Sequence, residues 1–412
     1  MGSIRHPSQS AADASGLGAN ATILYNRRSA FSLSQGDMTP DDQLCERCAR
    51  FDLDTISSRD TVHRMCGEMI AILGLVDKSW KERACAFCRL IGSLMVNYPS
   101  KKTLGVSAMP VQWMVAYAVP GVGAAFLGLH EYGSGVGSSH WQPCSIGRIT
   151  PQDQLSEIRS DLMQRMLMHC SLNHRVSCSL SRQDIDRGIP FLSLIDCRNR
   201  TIVTPNLMPM PRFTALSYVW GSSGSGPSQP RDYTQLGNAD QVIKDAISAT
   251  LRLGYDYLWV DRYCITQEGN EHKHEQIQNM HRVYRQAEVT LIAAAGKDSH
   301  HGLPSVSLTP RAPQPCARIN GAVYVSTLRP PPELIDKSVW ATRGWAYQEA
   351  ILLRRRLYFT DEQVYFDCKA MACREAIVPN LCTRPREISV HDAQYPHSLF
   401  RHIKAYNLVI RP

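Results

Sequence analysis

The sequence has no uninterrupted apolar run suited to a membrane span, no block of like charge suited to a nucleic-acid surface, and no apolar leader. The longest apolar stretch, Val111 to Leu129, is broken by Gln112, Pro120 and several glycines. A strand pair around a Pro-Gly turn is therefore expected there, and no membrane span. Lys and Arg outnumber Asp and Glu by 45 to 37, for a net charge of +8, but the arginines are spread along the chain. Their one tight run is Arg354, Arg355 and Arg356, without the interleaved aromatics of a nucleic-acid-binding face, so no nucleic-acid partner is expected. The opening MGSIRHPSQSAADASG is polar, and His6 stands where an acylation pattern beginning Met1-Gly2 requires Ser or Thr. With fourteen cysteines and no secretory leader, the expected setting is a reducing, cytoplasmic one in which thiols are free, buried or metal-bound.

What is present suffices for roughly two or three domains at ~150 residues each, since 412 residues with 43% hydrophobic content can bury a sizeable core. Residues 1–40, rich in Ser, Ala, Gly and Asn, read as a disordered tail. A Cys-rich, helical N-terminal module is expected over 41–150, with short strands and loops over its 104–150 part, then a connector of one helix and a β-hairpin over 151–210, and the principal domain over 211–412. In the first module Cys45-x2-Cys48 and Cys85-x2-Cys88 form two knuckles, with His63 and Cys66 between. Two such knuckles supply four ligands for a structural zinc and leave no open position for catalysis. The alternative is four buried cysteines in a small helical module.

From Gln154 a helix is expected, because Leu155, Ile158, Leu162, Met166 and Cys170 recur at intervals of three and four. It runs into Cys170-x3-His174-x3-Cys178, which reads either as three ligands along one face or as a helix end with a core cysteine and a capping histidine. FLSLIDC and RTIVTP follow as strands around a turn at Arg198-Asn199. FTALSYVW, bounded by Gly221, has the continuous apolar character of a strand buried on both faces. After the loop GSSGSGPSQP, Asn238 and Gln241 resemble a capping pair for a helix carrying Val242, Ile243, Ala246, Ala249, Thr250 and Leu253. YDYLWVD, a second helix marked by Ile277, Met280, Tyr284 and Ala287, and VTLIAAA complete a β-α-β-α-β pattern. Its fold class is α/β, an open, mostly parallel sheet flanked by helices. Downstream, Trp345 and Glu349 lie four residues apart on an expected helix, RLYFT and VYFDC form a hairpin about Asp361-Glu362, and HSLFRHIKAY is helix-like.

ALSYVWG, LWVDRYCITQ with Glu275 and the helix through Met280 and Tyr284, and RGWAYQEAILLRRRLYF occur in one order over 213–368. Together they resemble the fungal heterokaryon incompatibility (HET) domain. The Cys pairs and the Cys170, His174, Cys178 triplet are similar to the leader that commonly precedes it. Thr266 stands where the family usually has Asn and Ala346 where it often has Thr, and the family's tail is missing after Arg411, as in a truncated or short paralogue. The resemblance implies a cytosolic protein of filamentous fungi whose activation on fusion of unlike hyphae leads to regulated cell death. Expected partners are other incompatibility or self-associating proteins, with an oligomer as the active form. The family has been proposed as a distant relative of Toll/interleukin-1 receptor (TIR) domains, which implies a flavodoxin-like sheet.

Many TIR domains cleave NAD at the nicotinamide-ribose bond with one glutamate on a helix, and the separation of Trp345 and Glu349 matches that pattern. The resemblance thus implies NAD as substrate and Glu349 as the catalytic carboxylate, stabilising an oxocarbenium-like transition state or holding the ribose hydroxyls. Ser217, Tyr218, Trp220, Gly221, Asp261, Arg343 and Trp345 are the expected NAD-binding residues. Several fall at the carboxyl ends of strands, where open α/β sheets bind ligands, and the loop after Trp220 and the helix start at Asn238 are expected to receive phosphate. Plainer readings stand beside these: Trp345 as a core anchor, Asp261 as a cap, Cys264 as buried packing, Glu349 paired with Arg343 or Arg354, and the whole domain as a non-catalytic adaptor.

Overall fold

The computed structural model describes residues 43–51, 69–95, 102–107, 113–119, 123–131, 146–149, 158–186, 188–205, 210–221, 236, 238–266, 270–307, 309–319, 322–326, 328–329, 331–343 and 352–379. The expected tail at 1–40, His63, Cys66, the loop at 222–235, the stretch with Trp345 and Glu349, and HSLFRHIKAY lie outside them.

The chain begins with α1 (Glu46–Ala49), β1 (Met69–Val76), a 3-10 turn over Lys78–Glu82, α2 (Ala86–Leu94), β2 (Lys102–Ser107), β3 (Trp113–Val119), β4 (Gly123–Glu131) and β5 (Ile146–Ile149). Next come α3 (Ser160–Asn173), α4 (Arg175–Cys178), α5 (Arg182–Asp186), β6 (Leu194–Asp196), β7 (Thr201–Val203), β8 (Phe213–Ser217), α6 (Gln241–Arg252) and β9 (Tyr257–Trp259). Then follow α7 (Asp261–Cys264), α8 (Asn270–Gln278), α9 (Met280–Gln286), β10 (Thr290–Ala293), β11 (Cys316–Ile319), β12 (Ala322–Ser326), α10 (Pro331–Asp336), a 3-10 turn over Trp340–Thr342, and β13 (Arg355–Phe359), β14 (Val364–Cys368), β15 (Ala372–Arg374) and β16 (Ile377–Pro379).

An eight-stranded sheet in the order β15-β14-β13-β10-β8-β9-β6-β7 forms the centre of the fold. Its middle is parallel, since β10 pairs in parallel with β13 and β8, and β8 with β9. Every residue of β8, β10 and β13 is buried, as a parallel sheet covered on both faces requires. Counted along the chain from β8, the parallel strands stand in the order 2-1-3-4, so the chain reverses its direction of travel across the sheet at β8. The loops leaving the carboxyl ends of β8 and β10 start from this switch point, the edge at which open α/β sheets take ligands. The expected hairpins β6/β7 and β13/β14 are both antiparallel. In the first, the Asp196 carboxylate accepts from the backbone N–H of Arg198 and Asn199 at 2.9 and 3.0 Å and sets the turn.

Helix α6 buries the whole expected stripe, Val242, Ile243, Ala246, Ala249, Thr250 and Leu253. It starts later than expected, with Asp240 and not Asn238 at its N-cap. The second expected helix is two, α8 and α9, broken at Asn279 (φ −92°, ψ 1°). The break resets the helical phase, so Val283 and Tyr284 are buried while Ile277 is exposed.

The N-terminal module is corrected at one stretch, because a strand stands between the two Cys knuckles where a helical module was expected. A short continuous apolar run such as MIAILGLV does not tell strand from buried helix by periodicity, and here it is β1. The antiparallel sheet order is β1-β2-β4-β3-β12-β11. Thus 69–131 and 316–326 build one sheet, and Ala317, Ile319 and Tyr324 share a core with Cys48, Trp80, Phe87 and Ile91. β3 and β4 form the expected pair in the Val111–Leu129 stretch.

The one tight cationic run is not a surface. Arg354 donates to the carbonyls of Arg285, Cys178, Gln286 and Ala287 at 2.8 to 3.1 Å, and burial pulls its pKa down to about 10. Arg355 lies 3.1 Å from a Glu288 carboxylate oxygen. Arg356 lies 2.7 Å from Asp367 Oδ2 with both side chains almost wholly buried. Removing one partner of a buried ion pair leaves an uncompensated charge. Asp367→Ala is therefore expected to cost about 3–5 kcal/mol in urea unfolding, and Arg356→Met combined with Asp367→Leu to cost less than that single change.

Candidate functional site

At the carboxyl edge of the parallel sheet, β8 runs directly into Tyr218, Val219, Trp220 and Gly221. Gly221 is left-handed (φ +93°), and a Cβ there would sit 3.0 Å from Asp298 Cβ. Glycine thus lets the loop after β8 pack on the loop after β10, and Ser299 Oγ donates to the Trp220 carbonyl at 3.4 Å. Trp220 is 48% exposed, and its indole N–H donates to Asp261 Oδ2 at 3.1 Å, joining the end of β8 to the end of β9. Arg343 donates from Nη1 to the Tyr218 carbonyl. Tyr218, Trp220, Gly221, Asp261 and Arg343 are therefore neighbours at one edge.

Two of the expected roles look different in three dimensions. Ser217 is buried, and its Oγ accepts from Trp340 Nε1 at 2.8 Å, so it belongs to the core beneath the edge. The start of α6 carries its own anion: the Asp240 carboxylate lies 3.2 Å from Arg262 and 3.9 Å from His300 Nδ1. The positive end of this helix thus already faces a carboxylate. Tyr218 is the reverse case. Its hydroxyl is buried without a hydrogen-bond partner among the described residues, and burial, reinforced by Asp261, raises its pKa well above that of an ordinary phenol. Cys264 is buried and accepts from the Val260 N–H at 3.3 Å, the packing role and not that of a nucleophile. Trp345 and Glu349 fall outside the described residues.

Seven cysteines and one histidine gather into two groups. Cys45, Cys48, Cys85 and Cys88 bring their sulfurs within 4.8 Å of one another, with Cys88 Sγ 3.6 Å from Cys48 and 3.9 Å from Cys45. Each knuckle opens a helix: Cys45 is the N-cap of α1 and Cys85 that of α2. Hydrogen bonding from Cys48 lowers the Cys88 thiol to about 5 against the burial that raises it, and Arg47, 3.9 Å from Cys88 Sγ, acts in the same direction. Such a four-thiol set, buried but for the half-exposed Cys45, suits a closed tetrahedral zinc. The second group is Cys170, His174, Cys178 and Cys368, all buried, with ligand atoms again within 4.8 Å. Its fourth member, at the end of β14, is far away in the sequence and carries no local signal beyond the closing residue of VYFDC.

Residues 213–349 match the family model described as "Heterokaryon incompatibility protein (HET)". No curated protein and no solved structure matches the chain.

Replacing Ser217 tests the floor of the edge. Ser217→Ala removes the acceptor of the buried Trp340 indole N–H and is expected to destabilise the fold by about 1–3 kcal/mol. Chemical unfolding followed by tryptophan fluorescence reads this, and Ser217→Thr is expected to recover part of the loss.

Proposed function

From the HET domain that residues 213–349 form, we propose that this protein acts in fungal non-self recognition and regulated cell death by cleaving NAD at its nicotinamide-ribose bond. In this reading the domain is a distant TIR relative with a flavodoxin-like sheet. It acts in the cytoplasm, as an oligomer with other incompatibility or self-associating proteins. The observation that carries the reading is the meeting of Tyr218, Trp220, Asp261 and Arg343 at the carboxyl edge of a parallel sheet ordered 2-1-3-4. That is where ligands bind in open α/β sheets.

The half-exposed Trp220 ring offers a face for a flat heterocycle. The buried Tyr218 hydroxyl, lacking a partner among the described residues, has a donor to give, and a ligand oxygen relieves a cost of about 1–3 kcal/mol. Arg343 supplies a cation at the same edge, suited to the pyrophosphate. Glu349, six residues beyond Arg343, provides the carboxylate. Nicotinamide leaves as a neutral base with the electrons of the C–N bond, so no protonating acid is needed. Positive charge develops on the ribose, the carboxylate stabilises it, and water adds to the anomeric carbon with loss of one proton. ADP-ribose and nicotinamide are the products.

The same reading gives the N-terminal module a structural zinc on Cys45, Cys48, Cys85 and Cys88. No helix among the described residues is long and apolar enough to cross a membrane.

Full-length protein incubated with NAD over a range of protein concentrations is expected to release nicotinamide, read by chromatography, with a rate per chain that rises on self-assembly. Glu349→Gln is expected to lower that rate by about a hundredfold or more. No release at any concentration sinks the enzymatic reading. Killing of a fungal host by folded Glu349→Gln protein marks the domain as an adaptor acting through contacts.

A further inference from the structure

We infer that Cys170, His174, Cys178 and Cys368 form a closed tetrahedral zinc site that clamps the helices upstream of the parallel sheet onto its edge hairpin. Cys170 comes from the last turn of α3, His174 from the junction, Cys178 from the end of α4 and Cys368 from the last residue of β14. In one unbroken helix, Cys170 and Cys178 would be about 12 Å apart along the axis, too far for a single ion. The chain avoids this by leaving helical geometry at His174 (φ −108°, ψ 35°) and turning back, which brings all four ligand atoms within 4.8 Å of one another. A tetrahedral zinc with Zn–S near 2.3 Å and Zn–N near 2.0 Å has S···S edges of about 3.8 Å and N···S edges of about 3.5 Å. His174 Nδ1 lies 3.5 Å from Cys368 Sγ.

A second observation concerns charge. Three thiolates and one Zn²⁺ leave a net negative unit, which a buried site must offset. Arg355, itself buried, donates from Nε to Cys170 Sγ at 3.1 Å. A guanidinium aimed at sulfur suits a thiolate acceptor better than a neutral thiol. His174 turns Nδ1 into the cluster, 3.5 Å from Cys368 Sγ, and its buried Nε2 has no partner among the described residues.

Four protein ligands and full burial leave no open position, so the zinc is structural and not catalytic. Its consequence is topological. Three ligands precede the region 213–349 and the fourth follows it, so the ion closes the chain around the whole HET domain. Arg354 reinforces the same junction by donating to the Cys178 carbonyl at 3.1 Å.

Metal analysis and zinc X-ray absorption on the full-length chain test this, using protein purified without a metal-affinity step. Two zinc ions per chain are expected, one for each cluster, with nitrogen scattering from a single histidine shared across the pair. In Cys45→Ser with Cys48→Ser, one zinc should remain, bound by three sulfurs and one nitrogen. In Cys368→Ser, one zinc should remain with four sulfurs. His174→Cys should keep both ions and lose the nitrogen. An all-sulfur signal with one zinc or fewer in the wild-type chain, which requires no variant to fold, overturns the site, as does iron in place of zinc. A wild-type chain with one zinc on three sulfurs and one nitrogen upholds this site and removes the N-terminal one. Hydrogen exchange over 160–178 and 364–368 should quicken when a chelator strips the Cys45→Ser, Cys48→Ser protein, and unchanged exchange there refutes the clamp.

Discussion

Three consecutive arginines in the interior of a sheet impose the constraint on which much of this fold depends. A buried guanidinium must find acceptors in fixed directions or cost several kcal/mol, and Arg354, Arg355 and Arg356 find theirs on different elements. Arg354 gathers the carbonyls that end α4 and α9, Arg355 reaches Glu288 and Cys170, and Arg356 pairs with Asp367 on β14. Strand β13 thereby fixes the upstream helices, the approach to β10 and the edge hairpin relative to one another. Cationic composition that suggests a surface partner serves here as an internal bracket.

With β13 held beside β10, the parallel strands stand in the 2-1-3-4 order, and the loops that leave the carboxyl ends of β8 and β10 pack on each other at the switch point. The geometry at that edge follows from small local facts. Gly221 permits the close approach of two loops, Trp220 reaches Asp261 across the strand ends, and Trp340 supports Ser217 from below. The buried Tyr218 hydroxyl remains the unsatisfied group in that set. An unpaired buried donor costs free energy that an acceptor placed within reach would recover.

Seven cysteines and His174 form two largely buried clusters, one built from helix N-termini and one from a helix break plus a strand end. In both, a cation lies near sulfur: Arg47 beside Cys88 and Arg355 beside Cys170. A neighbouring guanidinium can offset the negative charge that thiolate ligation of a metal brings into a buried site. The N-terminal sheet, for its part, is not closed by the segment that starts it, because β12 arrives from far downstream to pair with β3 and carries β11 on its other side.

Several features were legible in the residues themselves. The apolar runs FTALS and TLIA, the stripe from Val242 to Leu253 and the two hairpins follow from side-chain period and burial, which act over a few residues. The paired knuckles at Cys45 and Cys85 announce a four-thiol cluster by their spacing. Other features depend on contacts between distant segments, which no local pattern encodes. These include the strand character of 69–76, the helix break at His174, the recruitment of Cys368 at 194 residues' remove from it, and the burial of the arginine run. Local side-chain pattern was enough for most of the strands and helices of the parallel sheet and for which residue types can ligate, stack or carry charge. Only the tertiary structure decided which of them meet, because that depends on the register and packing of elements whose neighbours in space are far apart along the chain.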